Sequence, residues 1–552
     1  MASAQTVRTQ QSNHSPPLVN SRLDFDWLIV GSGFGGSVAA LRLVEKGYKV
    51  GVLEAGRRFG DEDFARTTWE LGKFLWAPWL GLRGILNLTP FKDVFIACGS
   101  GVGGGSLVYA NTLYRGAPEF FANSQWSDLE DWAQVLKPHY DVAERMLGVQ
   151  TVPFESDGQK LLKEVGDAFG VGSTFKRTPV AVYFGEPGRT VSDPYFGGDG
   201  PERAGCTRCG ACMVGCRVGA KNHLLKNYLW FAEKKGAQIL PDRAVVDIRP
   251  VGAKNGSDGY FVATQRPGAW LRKRRQTFSC RGVVIAAGAL GTNMLLANCK
   301  YGGSLPEISD RLGSLVRTNS ESILAVTLPD SSTLEPARDV AISASIYPKP
   351  DTHIEFVTYG PKGDFMSFLF TLIVGQGTRL TRPLKLFGNM IRHPVRLAKT
   401  VWPFGWGRRT VVFLVMQSLD NAISFRARPK WIGRGVTLAT EQDPEKPNPT
   451  YIDVGNKAAE WLAERTHGIA QSMILEAMAD IPTTAHILGG SVIGRDSSTG
   501  VVDRNNRLFG YQNLLVCDGS TIPANPGVNP SLTITAIAEH AMSKIAPASM
   551  VN

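Results

Sequence analysis

Long apolar runs are missing from this sequence. Nowhere do about 18 apolar residues follow one another, which excludes a conventional membrane-spanning helix. The first 23 residues, MASAQTVRTQQSNHSPPLVNSRL, are polar, carry Pro16-Pro17 and lack the apolar centre of a secretion leader. A disordered arm is expected there, and a cytoplasmic protein that could at most sit peripherally on a membrane. Zinc-finger spacings, basic repeats and RNA-binding signatures are absent. Lys and Arg outnumber Asp and Glu by 60 to 49 in 552 residues, too small a surplus to imply a nucleic-acid partner. There is no internal repeat and no low-complexity tract. Cysteine is scarce, at eight residues, and without a leader these thiols are expected to be reduced. Glycine is plentiful, at 60 residues, which suggests many tight turns and close approaches of backbone to a ligand. The length exceeds what one compact core normally holds, so two domains or one large composite are expected.

The segment Asp26–Gly56, DWLIVGSGFGGSVAALRLVEKGYKVGVLEAG, carries the clearest motif. Trp27–Val30 reads as a buried strand, Ser37–Lys46 as a helix and Lys49–Leu53 as a second strand. Between the first two lies Gly31-Ser-Gly33-Phe-Gly35-Gly36, a match to G-x-G-x-x-G in the strand–turn–helix setting that dinucleotide binding requires. Gly31 permits the tight turn, Gly33 lets a pyrophosphate approach the backbone, and Gly36 lets helix and strand pack closely. The helix N-terminus offers amide donors to phosphate. Glu54, ending the second strand, is placed to accept hydrogen bonds from a ribose. A glycine-rich turn without a ligand is the alternative, and the motif alone does not separate NAD from FAD.

Two further segments bear on that choice. Cys98-Gly-Ser-Gly-Val-Gly-Gly-Gly-Ser-Leu-Val-Tyr109 is a second glycine-rich loop, and LLVCDGSTIPANPGVNPSLTITAIAEHAMSKI near the C-terminus reads as strand, turn and helix. Together and in this order, the stretches VGSGFGGSVAALRL, GSGVGGGSLVYANTL, GAKNHLLKNYLWFAE, AAGALGT, TAHILGG and DGSTIPANPGVNPSLTITA resemble the glucose–methanol–choline (GMC) oxidoreductases, and within them the bacterial cholesterol oxidases. The resemblance runs from about Asp24 to Ile545.

What the resemblance implies is an α/β fold (an α+β composite): a Rossmann-like FAD-binding domain, with a discontinuous substrate domain built on a β-sheet with covering helices. The FAD-binding domain would comprise residues 24–115, 201–300 and 476–552, and the substrate domain residues 116–200 and 301–475. FAD would lie along Gly31, Gly33, Gly36 and Glu54. Its ring would be bracketed by Gly103, Gly104, Gly105, Ser106 and Asn111 on one side and by Asp518, Gly519 and Asn529 on the other. Family members that bind FAD covalently do so through a His in the second loop. Val108 stands at that position here, so non-covalent FAD is expected.

Oxidising an alcohol needs a base for the hydroxyl proton and an acceptor for hydride, which flavin can be. His486, in TAHILGG, matches the family's catalytic histidine, and histidine is well suited to proton transfer near neutral pH. Asn529 matches the family's asparagine, whose amide can hydrogen-bond the substrate oxygen or polarise the flavin ring. The plainer readings are a satisfied core histidine and an asparagine in a turn before proline. Glu355, in DTHIEF, is the best match to the glutamate that moves a proton during double-bond migration in cholesterol oxidases; a strand residue facing solvent is the alternative.

Two apolar regions invite a lipid reading. Phe74–Leu82 with Ile85–Phe91 is broken by Pro and Gly and suits a core or lid segment. Arg379–Arg409 mixes Arg, Lys, Trp and Phe with no acid, a composition that suits an anionic lipid surface. Finally, Cys206, Cys209, Cys212 and Cys216 follow the spacing C-x2-C-x2-C-x3-C of an iron–sulfur run, although Arg217 replaces the usual Pro. An iron–sulfur cluster, a zinc site and packed reduced thiols are the three readings.

The leading expectation is FAD-dependent oxidation of a secondary alcohol, the 3-hydroxyl of cholesterol or a related sterol or steroid, with isomerisation as a following step. Oxygen or an electron-accepting partner would reoxidise the flavin. The first rival is an FAD dehydrogenase, with or without a cluster, of another bulky or sugar-like alcohol, passing electrons to a protein or quinone. The second is a flavin-binding sensor without alcohol chemistry. No motif sets an oligomeric state.

Overall fold

The computed structural model describes residues 23–269, 273–431 and 435–550. The N-terminal arm, apart from Leu23, lies outside the described residues. Near the N-terminus the chain lays down strand β1 (Phe25–Val30), helix α1 (Phe34–Glu45) and strand β2 (Val50–Leu53), in the order expected from the motif. Ala, Leu and Val fill the buried face of α1, Gly33 caps its start, and the left-handed Gly47 lies just beyond its end. Four later strands join: β3 (Gln238–Leu240), β4 (Ala244–Pro250), β5 (Tyr260–Gln265) and β6 (Gln276–Ile285). The order is β3-β2-β1-β6-β5-β4, and a strand from the far end of the chain, Leu514–Val516, pairs with the last three residues of β6. The pairs β1–β2, β1–β6 and β2–β3 are parallel, whereas β4–β5–β6 is an antiparallel meander. The parallel strands read as continuous apolar runs because both of their faces are buried. At their C-terminal edge the first turn and the returning strand meet, the usual ligand side of such a sheet.

A second seven-stranded sheet is built from β7 (Ser322–Thr327), β8 (Ile342–Lys349), β9 (Thr352–Val357), β10 (Phe370–Leu372), β11 (Thr410–Gln417) and β12 (Ile469–Met473), with Lys176–Arg177 at one edge. Its order is β10-β12-β7-β11-β9-β8. These strands are rich in Val, Ile, Thr and Phe, residues that fit a pleated surface, and successive side chains alternate between the two faces. Leu324, Val326, Ile354, Phe356, Phe413 and Val415 form one face. Helix α2 (Asp157–Ala168) covers it, and the absence of a side chain at Gly158 lets the helix seat on the Phe356 ring. Between β10 and β11 lie α3 (Thr381–Arg392) and α4 (Pro394–Val401) at the periphery of the sheet. Helix α5 (Asp453–Thr466) completes the cover, with Gly455 against Leu324 and Val415.

The opposite face belongs to the site. In register Glu355 lies across from Leu414 and His353 across from Met416, so these four side chains share it. Leu414, Met416, Val357 and Val412 pack there with Phe370 and Trp406, and with Leu107 of the second glycine-rich loop. An apolar cluster therefore runs from that loop to the sheet.

Candidate active site

Gly31 has φ +95°, and a side chain there would collide with the Ala286 carbonyl of β6's continuation. A side chain on Gly36 would collide with the Gly31 carbonyl. The motif's unnamed glycine, Gly35, is equally constrained, since it faces the Cys517 carbonyl. Gly33 is different: a Cβ there meets nothing within 4 Å on its own side, while Gly104 approaches from the second loop, its own Cβ position 2.8 Å from the Gly33 Cα. The two glycine-rich loops thus close on one another and leave space beside Gly33 at the start of α1, a cradle suited to phosphate.

Glu54 is buried at this turn. Its carboxylate accepts from Ser32 N–H (3.0 Å), Ser32 Oγ (2.6 Å) and Gly56 N–H (2.8 Å). Burial pushes its carboxyl above the ordinary carboxylate range, and these hydrogen bonds pull it partly back. Ser32, a residue not singled out by the motif, also accepts from Gly103 N–H at 3.0 Å and so links the two loops. Ser106 Oγ donates to the Gly103 carbonyl (2.7 Å) and accepts from Leu224 N–H (3.1 Å), holding the turn around Gly104 and Gly105. Asp518 accepts from Ser520 N–H (2.8 Å), Gly288 N–H (2.9 Å) and Thr292 Oγ1 (2.5 Å), tying the C-terminal turn at Gly519 to the helix after β6. Both amide atoms of Asn111, Ser520 Oγ and Asn529 Oδ1 are buried without a protein partner. Buried polar groups are normally paired, so these orphans and the open face of Gly33 fit a polar dinucleotide.

The three residues expected to act on substrate converge. Asn529 Nδ2 donates to Glu355 Oε2 at 3.2 Å and lies 3.4 Å from His486 Nε2. Glu355 is fully buried, so the solvent-facing alternative is discarded. Burial pushes its carboxyl up to about 8; the Asn529 hydrogen bond lowers it and the charge of Glu321 raises it. Glu321 is the member that sequence reasoning missed. It is buried, it hydrogen-bonds His486 Nδ1, and its other oxygen accepts from Ala485 N–H at 2.8 Å. A carboxylate accepts and does not donate, so Nδ1 carries the ring proton and Nε2 presents a lone pair toward Asn529. The available signal for Glu321 was the polar run Thr-Asn-Ser-Glu-Ser, 318–322, just ahead of an apolar strand. Within it Asn319 and Ser320 take positive φ, +58° and +47°, a costly backbone that concentrates at functional sites. Asn319 accepts from Gly527 N–H (2.9 Å) and donates to the Val528 carbonyl (3.2 Å), so the same run braces the loop that carries Asn529.

The structure gives no support to the metal reading of the cysteine run. All four thiols are free. They border one cavity of about 20 Å³ with Lys221 and Asp339, room for about one water. Among the described residues no group of three or more His, Cys, Asp or Glu could hold a metal ion. Burial pushes the Cys212 thiol up to about 12 and that of Cys206 upward as well. The segment also braces the second glycine-rich loop. Buried Lys221 donates to the carbonyls of Leu107, Tyr109 and Cys212, each at 2.9 Å, and joins the cysteine turn to the second glycine-rich loop.

The sequence matches the family described as FAD dependent oxidoreductase over residues 26–358 and that described as GMC oxidoreductase over residues 436–538. It is 50% identical over 532 residues to a cholesterol oxidase of Mycobacterium tuberculosis (strain ATCC 25618 / H37Rv), covering 94% of this chain and 91% of that one. A cholesterol oxidase of Acinetobacter baumannii is 45% identical over 528 residues, covering 95% and 94%. Among solved structures, a fungal aryl-alcohol oxidase aligns with a TM-score of 0.60 at 13% identity over 96% of this chain and 100% of that one, a likeness of fold.

Proposed function

Because the chain belongs to the GMC oxidoreductase family and is an FAD-dependent alcohol oxidoreductase, we propose that it oxidises the 3-hydroxyl of a sterol or related steroid to the ketone. The carrying observation is the convergence of His486 Nε2, Asn529 and Glu355 beside an apolar sheet face. FAD, when bound, supplies the hydride acceptor. Gly31, Gly33, Gly104, Glu54 and Asn111 would hold it, without a covalent link because Val108 offers no atom to attach.

In this reading His486 takes the hydroxyl proton at Nε2, and Glu321 holds the ring in the tautomer that allows it and offsets the charge that forms. Asn529 Nδ2 donates to the substrate oxygen and orients the carbinol hydrogen. Leu414, Met416 and Phe370 exclude water and match a flat apolar body. Glu355 serves the second step: its carboxylate takes the proton from the carbon between ketone and double bond and returns it to the far alkene carbon, and its raised proton affinity, about 8, strengthens it as that base. Oxygen is the proposed terminal acceptor, in keeping with relatives that carry the name oxidase.

Residues 24–115, 201–300 and 476–552 are read as the FAD-binding domain and 116–200 with 301–475 as the substrate domain. The reading is supported by the strands of the first sheet falling in the former set and those of the second sheet in the latter.

The test is anaerobic mixing of the holoenzyme with cholesterol, with hydroxysteroids and with sugar alcohols. Rapid loss of the oxidised flavin absorbance with the sterols alone is expected, followed by peroxide release when air is admitted. Bleaching by sugar alcohols and not by sterols would assign the other substrate class. An unchanged spectrum with every alcohol would remove the enzymatic reading.

A further inference from the structure

Helices α3 and α4 break the usual rule for surface helices, which turn their polar side to water. Leu380, Leu384, Phe387, Ile391 and Val395 recur at helical spacing and are 64–80% exposed. Trp402 and Phe404, just beyond α4, are also exposed, and Phe404 packs against Trp69, itself in contact with Phe368. The opposite side of α3 is firmly held. Leu386 is buried against Leu372 and Val374, and the fully buried Arg382 pairs with Glu476 (3.1 Å) and Asp480 (3.0 Å). The apolar row is therefore the outer side of a rigid element.

The charges beside that row have one sign. Residues 379–409 contain eight Lys and Arg and no Asp or Glu. Lys385, Arg392, Arg396, Lys399 and Arg408 have no carboxylate within 4 Å among the described residues. A nucleic-acid surface takes its affinity from phosphate contacts and gives no reason for a row of exposed aliphatic side chains, and the core of a protein interface is depleted in charged residues, whereas unpaired cations lie beside this row. An anionic bilayer surface matches both halves: acyl chains take the apolar row, headgroups take the flanking cations, and Trp402 suits the boundary.

We propose that α3, α4 and the Trp402–Phe404 turn form a docking surface for an anionic lipid bilayer. What the surface is used for rests on the sterol reading. Behind it Phe370 and Trp406 belong to the apolar cluster that reaches Leu414, the cross-strand neighbour of Glu355, so a lipid-borne alcohol would meet apolar side chains from the bilayer to the site.

The experiment is flotation of the holoenzyme with phosphatidylcholine vesicles, with and without phosphatidylserine, at low and high salt. No sterol is present, so failure of the substrate reading leaves the result readable. Binding to the phosphatidylserine vesicles at low salt, weakened by added salt, is expected. The triple variant Arg392→Gln, Arg396→Gln, Lys399→Gln should lose on the order of 100-fold in vesicle affinity, at roughly five-fold per cation. The double variant Phe387→Ser, Ile391→Ser should weaken binding at both salt concentrations. Both variants should turn over detergent-solubilised alcohol as the wild type does. Absence of vesicle binding at low salt, or equal binding by the variants, would overturn the proposal. So would a wild-type oligomer that becomes monomeric in the double variant, since that would assign the face to a second copy of the chain.

Discussion

Gly31, Gly33 and Gly36 sit within six residues of chain, whereas Glu321, Glu355, His486 and Asn529 are spread from residue 321 to residue 529. The first set works through backbone. What matters is that no side chain is present, and one β-α-β unit suffices to arrange it. The second set works through side-chain atoms that must meet within hydrogen-bond distance, and each comes from a different segment. Damage to the first is expected to be steric and global. Damage to the second is expected to be chemical and local, because its members are held by separate elements.

The largest effect should come from Gly36→Val. Its side chain has no space between the Gly31 carbonyl and Ala286, so a loss above about 4 kcal/mol is expected from overpacking at a rigid turn. The measurement is flavin content and melting temperature of the purified protein. A folded, flavin-loaded variant would show that the turn is more plastic than the geometry implies.

Glu355→Gln probes the other set and should leave the fold intact. The folded protein keeps the Glu355 proton up to about pH 8, while the unfolded chain releases it at the ordinary value of 4.5. The unfolded state thus binds fewer protons across that window, and the group's contribution to stability falls as pH rises through it. Gln removes that loss. The variant should match the wild type near pH 4 and exceed it near pH 9, by on the order of 5 kcal/mol. Thermal melts against pH check this. The same variant should oxidise sterol at a rate close to wild type but release unconjugated ketone, read by the absorbance of the product; undiminished isomerisation would discard the assignment.

The mildest of the three is Glu321→Gln. The amide oxygen still accepts from His486, but the charge that offsets an imidazolium is gone. A drop of about 100-fold in kcat is expected, with KM, flavin content and melting temperature near wild type and partial recovery in Glu321→Asp. A fall in melting temperature with unchanged kcat would make Glu321 a packing residue only.

Much of this was legible in the chain. The dinucleotide turn, the second glycine-rich loop and the C-terminal strand–turn–helix all carry residue types whose backbone demands are local, and each appears where the motif predicted. His486 and Asn529 were legible through the short motifs that carry them. Glu355 was an even choice between core and solvent because alternation along THIEF fits either face; pairing with Leu414 and burial under the apolar cluster settle it. The cysteine spacing could be read three ways. The fold brings all four residues to one cavity near the size of one water, beside Lys221, without forming a metal site among the described residues.

By itself the sequence determined the family, the cofactor and the turns that receive it, since glycine at fixed intervals, apolar strands and a capped helix act within one stretch of chain. Only the tertiary structure decided which carboxylates count. Glu355 differs in no local feature from other strand glutamates, and Glu321 lies just ahead of β7; the fold buries both near His486, where a lost water shell raises the proton affinity of Glu355 and Glu321 hydrogen-bonds the imidazole.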